Sequence, residues 1–200
     1  MLNAFFIPQI HDETTQFWHM PGSGQNPDPD LKDIDSLIRA QHRANFDLWH
    51  QEDKARDPQA TDHEIADVKR SIDRLNQRRN DLVEQIDVKL LAKYEDALKS
   101  HPDAPLHSET PGMMIDRLSI LALKIFHTRE ESIRESATEE HRDRNRERLA
   151  FLEEQRDDLS QALNALFKDL AEGRRRFKLY RQMKMYNDPD LNPAIYKRKV

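Results

Sequence analysis

His107-Ser-Glu-Thr-Pro-Gly-Met-Met-Ile-Asp-Arg-Leu-Ser-Ile-Leu-Ala-Leu-Lys-Ile-Phe-His127 is the stretch that sets the fold class. It opens as a helix start, with Thr110 as cap and Pro111 in the first turn, where a missing amide proton costs nothing. It continues as the most apolar helix of the chain, yet Asp116, Arg117, Lys124 and His127 are carried within it. Charged side chains enter a core only when they are paired or used. The same run therefore marks the place to look for a site.

The composition around it agrees with a helical reading. Charged residues make up 34% of the 200 and hydrophobic ones 36%, with four glycines and 7% aromatics. That balance favours long surface-charged helices over a sheet, which draws on β-branched and aromatic runs. Cysteine is absent, which removes disulfides, thiolate metal sites and a cysteine nucleophile. No apolar run approaches the roughly 20 residues of a membrane span. Met1 to Pro8 lacks the basic leader of a signal peptide, so the expected location is cytoplasmic.

Prolines divide the chain into long proline-free stretches, as helices with loop breaks do. Residues 1–32 read as an N-terminal arm and loop. Phe5, Phe6, Phe17 and Trp18 can tuck an arm or short helix onto the body, and Pro21 to Pro29 is a loop. A helical bundle follows over 33–186. Its first helix runs from Asp33 to Arg56, with Ile34, Leu37, Ile38, Leu48 and Trp49 as the buried stripe and Gln41, Asn45 and Glu52 on that stripe. The second opens with a capping box, Thr61-Asp-His-Glu64, and carries the seam Ile65, Val68, Ile72, Leu75, Arg79, Leu82, Ile86, extending to about Leu98. The third is the quoted stretch. The fourth follows a capping box at Ser136-Ala-Thr-Glu139, with Leu149, Leu152, Arg156, Leu159, Leu163, Leu166 and Leu170 as its seam. Gly173 interrupts it, and Arg174 to Tyr186 reads as a short further helix before a basic tail, 187–200. The expectation is an all-α, antiparallel four-helix bundle with an N-terminal arm and a short C-terminal helix.

Sliding the chain by about 77 residues aligns His50 with His127, Trp49 with Phe126, and Ala60-Thr61 with Ala137-Thr138. Ile72, Leu75, Arg79, Asp81 and Leu82 then meet Leu149, Leu152, Arg156, Asp158 and Leu159. A duplicated helical hairpin explains this echo, as does the alignment of any two amphipathic helices at heptad offsets. Arg79 and Arg156 interrupt apolar seams. Each must reach a carboxylate (Glu52, Asp73 and Asp116 are within plausible range) or bury its stem and send its head to water.

Met113, Arg117, Ile120, Lys124 and His127 recur at steps of four and three and share a helix face. Two cations and an imidazole suit a phosphate or carboxylate, and His107 precedes the helix start. On the first helix, Glu52 or Asp53 would act as a base if burial raised its pKa. The expected ligand-binding set is His50, Glu52, Asp53, His107, Asp116, Arg117, Lys124 and His127, with catalytic residues and cofactor left unassigned. The competing reading is that these charges only pair between helices, in an interaction protein that forms a homodimer or docks on a partner. A carboxylate-bridged metal pair wants Glu-x-x-His on two helices. Asp47-Leu-Trp-His50 is the one comparable match and Lys124 falls where the second acid would stand, so no metal site is assigned. Residues 173–200 carry nine Lys or Arg against two Asp. No recognised nucleic-acid module accompanies them, and packing along an acidic body is the expected role.

The runs Asn45-Phe-Asp-Leu-Trp-His-Gln-Glu-Asp-Lys-Ala-Arg56, Lys69-Arg-Ser-Ile-Asp-Arg-Leu-Asn-Gln-Arg-Arg-Asn-Asp81, His107 to His127, and Tyr180-Arg-Gln-Met-Lys-Met-Tyr-Asn-Asp-Pro189 resemble a bacterial domain-of-unknown-function family, number 4254. The resemblance covers most of the chain after about residue 30. It implies a bacterial helical protein of this length, associated with surface-polysaccharide pathways, and supplies no catalytic residues. A single helix, Ile72 to Leu82, is similar to helical chorismate mutases, whose arginines and polar side chains hold a dicarboxylate.

Overall fold

The computed structural model describes residues 3–23, 31–181, 183 and 188–197. The helices are α1 (Phe6–His19), α2 (Ile34–Lys54), α3 (Asp62–Lys93), α4 (Glu95–Ser100), α5 (Pro111–Ile133), α6 (Glu139–Ala171) and α7 (Pro193–Tyr196). The described residues form no strand; an isolated parallel bridge joins Leu106 and Arg176. The protein is all-α. Among the described residues, no helix is long and apolar enough to cross a membrane.

Local chemistry sets the helix starts. Asp33 and Ser36 satisfy each other's exposed amides at the start of α2, and Thr61 and Glu64 do the same for α3. Thr110 caps α5 ahead of Pro111. The fourth long helix starts two residues later than a Ser136 box implies. Thr138 is its cap, accepting from the His141 amide. Arg142 reaches back to the carbonyls of Arg134 and Ala137, and Glu139 pairs with Arg142 and Arg146, so Ser136 has no capping work left. The second helix breaks at Tyr94 and resumes as α4.

α6 ends at Gly173, which takes φ +68°. The Arg174 amide returns to the Asp169 carbonyl at 2.8 Å, the bond that closes a left-handed helix end. Beyond it the chain is not helical over 174–181, contrary to the expected helix from Arg174. The His107 amide donates to the Arg176 carbonyl (2.8 Å) and the Arg176 amide to the Pro105 carbonyl (3.1 Å), so this segment lies along the loop before α5. Phe177 enters the core there. The short C-terminal helix is α7 instead. The remainder of the expected helix, at 182 and 184–187, and most of the loop expected over 21–29, lie outside the described residues.

Consecutive long helices run antiparallel, and α5 touches α1, α2, α3 and α6, which makes it the central rod. Leu37, Ile38, Ile86, Leu90, Ile115, Leu118, Leu163, Phe167 and Leu170 fill the core around it. Each such side chain contributes roughly 1.5–3 kcal/mol by leaving water. The N-terminal segment is a helix, and α1 packs on both α2 and α5. Registers show that α1, α2 and α5 run the same way: His11 meets His42 and His19 meets His50, while Asn45 meets Ser119 and His50 meets His127. The starts of α2 and α5, and of α3 and α6, differ by the same offset that separates His42 from Ser119, 77 residues. The two hairpins thus face each other with equivalent positions opposed across α2 and α5.

Candidate functional site

A polar layer crosses the apolar interior where these three parallel helices meet. His42 places Nε2 2.8 Å from Thr15 Oγ1 and Nδ1 2.7 Å from Ser119 Oγ. Asn45 donates to Ser119 Oγ and to Asp116 Oδ1, both at 2.9 Å, and Gln41 donates to the same carboxylate oxygen. Buried polar groups must find partners, and this layer supplies most of them from α1, α2 and α5. Burial holds His42 neutral, with its pKa down at about 3, and lowers that of His11, which stacks on it at 4.5 Å. Burial also raises the Asp116 carboxyl, while Arg79 and Asn45 pull it down.

Toward the C-terminal ends of α1 and α2 lies a histidine cluster. One ring nitrogen each from His19, His50 and His127 lies within 4.8 Å of the others. Nδ1 of His19 sits 2.8 Å from the Thr15 carbonyl, and Nδ1 of His50 2.8 Å from the Phe46 carbonyl. Nδ1 of His127 sits 3.0 Å from Glu130 Oε2. A carbonyl only accepts, so Nδ1 of His19 and of His50 carries the proton and Nε2 presents its lone pair. The Glu130 carboxylate selects the same tautomer for His127. Aromatic rings fix the imidazoles: Phe126 stacks on His19 at 4.3 Å, Trp49 on His127 at 4.9 Å, and Phe46 touches both His19 and His50. Burial lowers the His127 pKa against the opposing pull of Glu130.

Beside the cluster, a groove of about 360 Å³ opens between α2, α3 and α5. Trp49 and Ile120 form apolar walls, and Asn45, Glu52, Asp53 and Asn76 supply polar ones. Arg79 lines it with a side chain 26% exposed. Its Nε is buried without a hydrogen-bond partner and lies 3.9 Å from Asp116 Oδ1.

The expected site residues divide among these places. His50 and His127 come together in the cluster. Glu52 and Asp53 line the Arg79 groove, where Glu52 pairs with Arg56 at 2.7 Å. Asp116 belongs to the polar layer. His107, Arg117 and Lys124 line a separate groove of about 700 Å³ between α5 and α6. Arg117 is exposed there and paired with Glu109 at 2.8 Å. Arg117 and His127 therefore do not share a pocket. The seam arginines do reach carboxylates: Arg79 approaches Asp116, and Arg156 binds Asp12 of α1 at 2.9 Å. His19 was not among the expected residues, because the first twenty positions show little apolar periodicity. The signal that finds it is polar: His11, Thr15 and His19 recur every fourth residue and so share a face.

Neither a curated protein nor a solved structure matches this chain. A family described as a protein of unknown function, DUF4254, matches residues 35–179, which takes in the α2 and α5 members of the polar layer, the Arg79 and Arg117 grooves and two of the three clustered histidines, but not α1. The match spans well over half of the sequence, and the chain belongs to the DUF4254 family.

Proposed function

We propose that this protein binds a small anionic ligand, of the sugar-phosphate or carboxylate class, in the groove between α2, α3 and α5. The observation that carries the reading is Arg79. Its side chain is mostly withdrawn from water and lines the groove, its Nε has no hydrogen-bond partner among the described residues, and its Nη2 reaches only Asn80 Oδ1, at 3.4 Å. The nearest carboxylate, Asp116, stands off at 3.9 Å and is already engaged by Gln41 and Asn45. The Nη groups of such a weakly engaged guanidinium offer donors to a phosphate or carboxylate. The Trp49 wall and the Asn76 amide suit the uncharged part of a sugar. Glu52, half exposed and paired with Arg56, and Asp53, exposed, lack the burial expected of a base. A sugar phosphate is also the class that fits the expected surface-polysaccharide setting.

Thermal shift and calorimetry against sugar phosphates, nucleotides and dicarboxylates test this. A binder raises the midpoint, as ligand bound only to the folded state must. Arg79→Gln removes that rise and Arg117→Ala keeps it. A response that survives Arg79→Gln, or no response to any of these ligands, overturns the reading.

A second reading, an interaction protein that self-associates or docks on a partner, draws on Ile133 and Phe151, which are 71% and 65% exposed on α5 and α6. Light scattering on the eluting protein checks it: a dimer that Phe151→Ser disrupts supports it, and a monomer at all concentrations removes it.

A further inference from the structure

Among the described residues, His19, His50 and His127 are the histidines gathered from three separate helices with a nitrogen each in mutual reach. We propose that they form a site for a divalent transition metal, Zn²⁺ by the character of its donors, with a fourth position left for water or an anion. Three imidazoles with an open fourth place are a recurrent catalytic zinc arrangement, whereas magnesium and calcium require oxygen donors.

Several independent features point the same way. Each Nδ1 is held by an oxygen, two of them backbone carbonyls and one the Glu130 carboxylate. Metal-bound histidines are oriented in this manner, because the outer hydrogen bond fixes the tautomer and aims the other nitrogen at the ion. Nε2 of His19 and Nε2 of His127 are buried without a hydrogen-bond partner. Leaving two acceptors unsatisfied in an aromatic interior is costly, and an ion would satisfy both together. The rings are also clamped by Phe46, Trp49 and Phe126, so little orientation is lost on binding. Zinc–nitrogen bonds of about 2.0–2.1 Å place tetrahedral ligands about 3.3 Å apart. Closing in from separations within 4.8 Å requires only a small tilt of each ring. The adjacent polar layer does not offer the same chance: both His42 nitrogens are already engaged, and His11, whose nitrogens have no hydrogen-bond partner, belongs to no group of three ligand-type side chains among the described residues.

The three ligands are uncharged, so the bound ion keeps its positive charge apart from what Glu130 offsets. An anion or hydroxide is thereby favoured in the fourth position. A groove of about 280 Å³ between α1 and α5 shares Phe126, which stacks on His19, and Glu130, which holds His127, with the surroundings of the cluster. The site does not depend on the Arg79 groove: the Trp49 side chain stacks on His127 and also lines that groove, standing between the two.

The test uses the full chain stripped with chelator and titrated with Co²⁺. The expected result is visible d–d absorption that saturates at one equivalent and is displaced by Zn²⁺. His19→Gln, His50→Gln and His127→Gln should each weaken binding by at least about 100-fold. His63→Gln, at an exposed histidine on α3, should leave it unchanged. Circular dichroism checks that the variants are folded. Should any fail to fold, the imidazole nitrogen spectrum of the unaltered protein decides, with Zn²⁺ expected to move three Nε2 resonances together. Absence of cobalt absorption, no such movement of the imidazole resonances, or binding that survives the glutamine substitutions, overturns the proposal.

Discussion

Gly112, in the first turn of α5, donates its amide to Asp87 Oδ1 at 2.7 Å. A Cβ at this position would stand 2.7 Å from the Val83 carbonyl oxygen and 2.8 Å from Asp87 Oδ1. The backbone of α5 therefore approaches α3 closer than any side chain allows. Gly112→Ala should lower stability by about 1–3 kcal/mol through overpacking, although alanine is the better helix former. Urea unfolding measures this, and a variant with an unchanged or raised midpoint would show that α3 gives way freely. The glycine is visible in the sequence, but its neighbour across the interface is not. Likewise His19, His50 and His127 are plain in the chain, while their convergence depends on how three helices are placed.

At the level of the helix, periodicity fixes which residues share a side but not which neighbour that side meets. An α-helix turns about 100° per residue. Arg117 and Lys124 thus lie about 20° apart, and Arg117 and His127 about 80° apart. That larger angle carries His127 to α1 and α2 while Arg117 and Lys124 face the α6 side. α1 shows the limit from the other direction. Its inward face bears His11, Thr14, Thr15 and Ile7, so little apolar pattern announces it, yet it packs on α2 and α5. Arg156 of α6, with its side chain 16% exposed, ties α1 down through Asp12. Arg156→Ala should weaken that attachment by about 1 kcal/mol, roughly fivefold in local opening. Hydrogen exchange should accelerate in α1 and stay unchanged in α3. Uniform acceleration across all helices would mean that the pair supports the whole bundle instead.

The whole molecule carries its buried imidazoles neutral, and this gives stability a direction with pH. His42 titrates near 6.5 when unfolded and at about 3 in the bundle, and His11 is lowered as well. Between those values the unfolded chain binds the extra protons, so acidification favours unfolding. The stability these histidines allow is fully present above about 6.5 and is lost as pH falls toward about 3. Asp87 opposes them. Burial pushes its carboxyl up to about 6 from 3.8, so its contribution is present below 3.8 and is lost as pH rises through about 6. His42 and His11 are fully buried and His127 is lowered with them, whereas Asp12, Asp47 and Asp116 are each pulled back down by an arginine, so the histidines prevail and the midpoint of thermal unfolding should drop from pH 7 to pH 4.5. His42→Gln should flatten the decline. A midpoint that rises over the same interval would mean that the buried carboxylates dominate.

Helix content and the positions of most starts and stops were written in the sequence, because caps, prolines and Gly173 act through bonds among near neighbours. So was the equal spacing of the two hairpins, since it is a property of order along the chain. The partner of each polar face was decided only when the rods were stacked. Which imidazoles meet, which arginine lines a groove, and the enlistment of α1 as a fifth long-range partner all depend on contacts between residues remote in the chain, and no local rule encodes those.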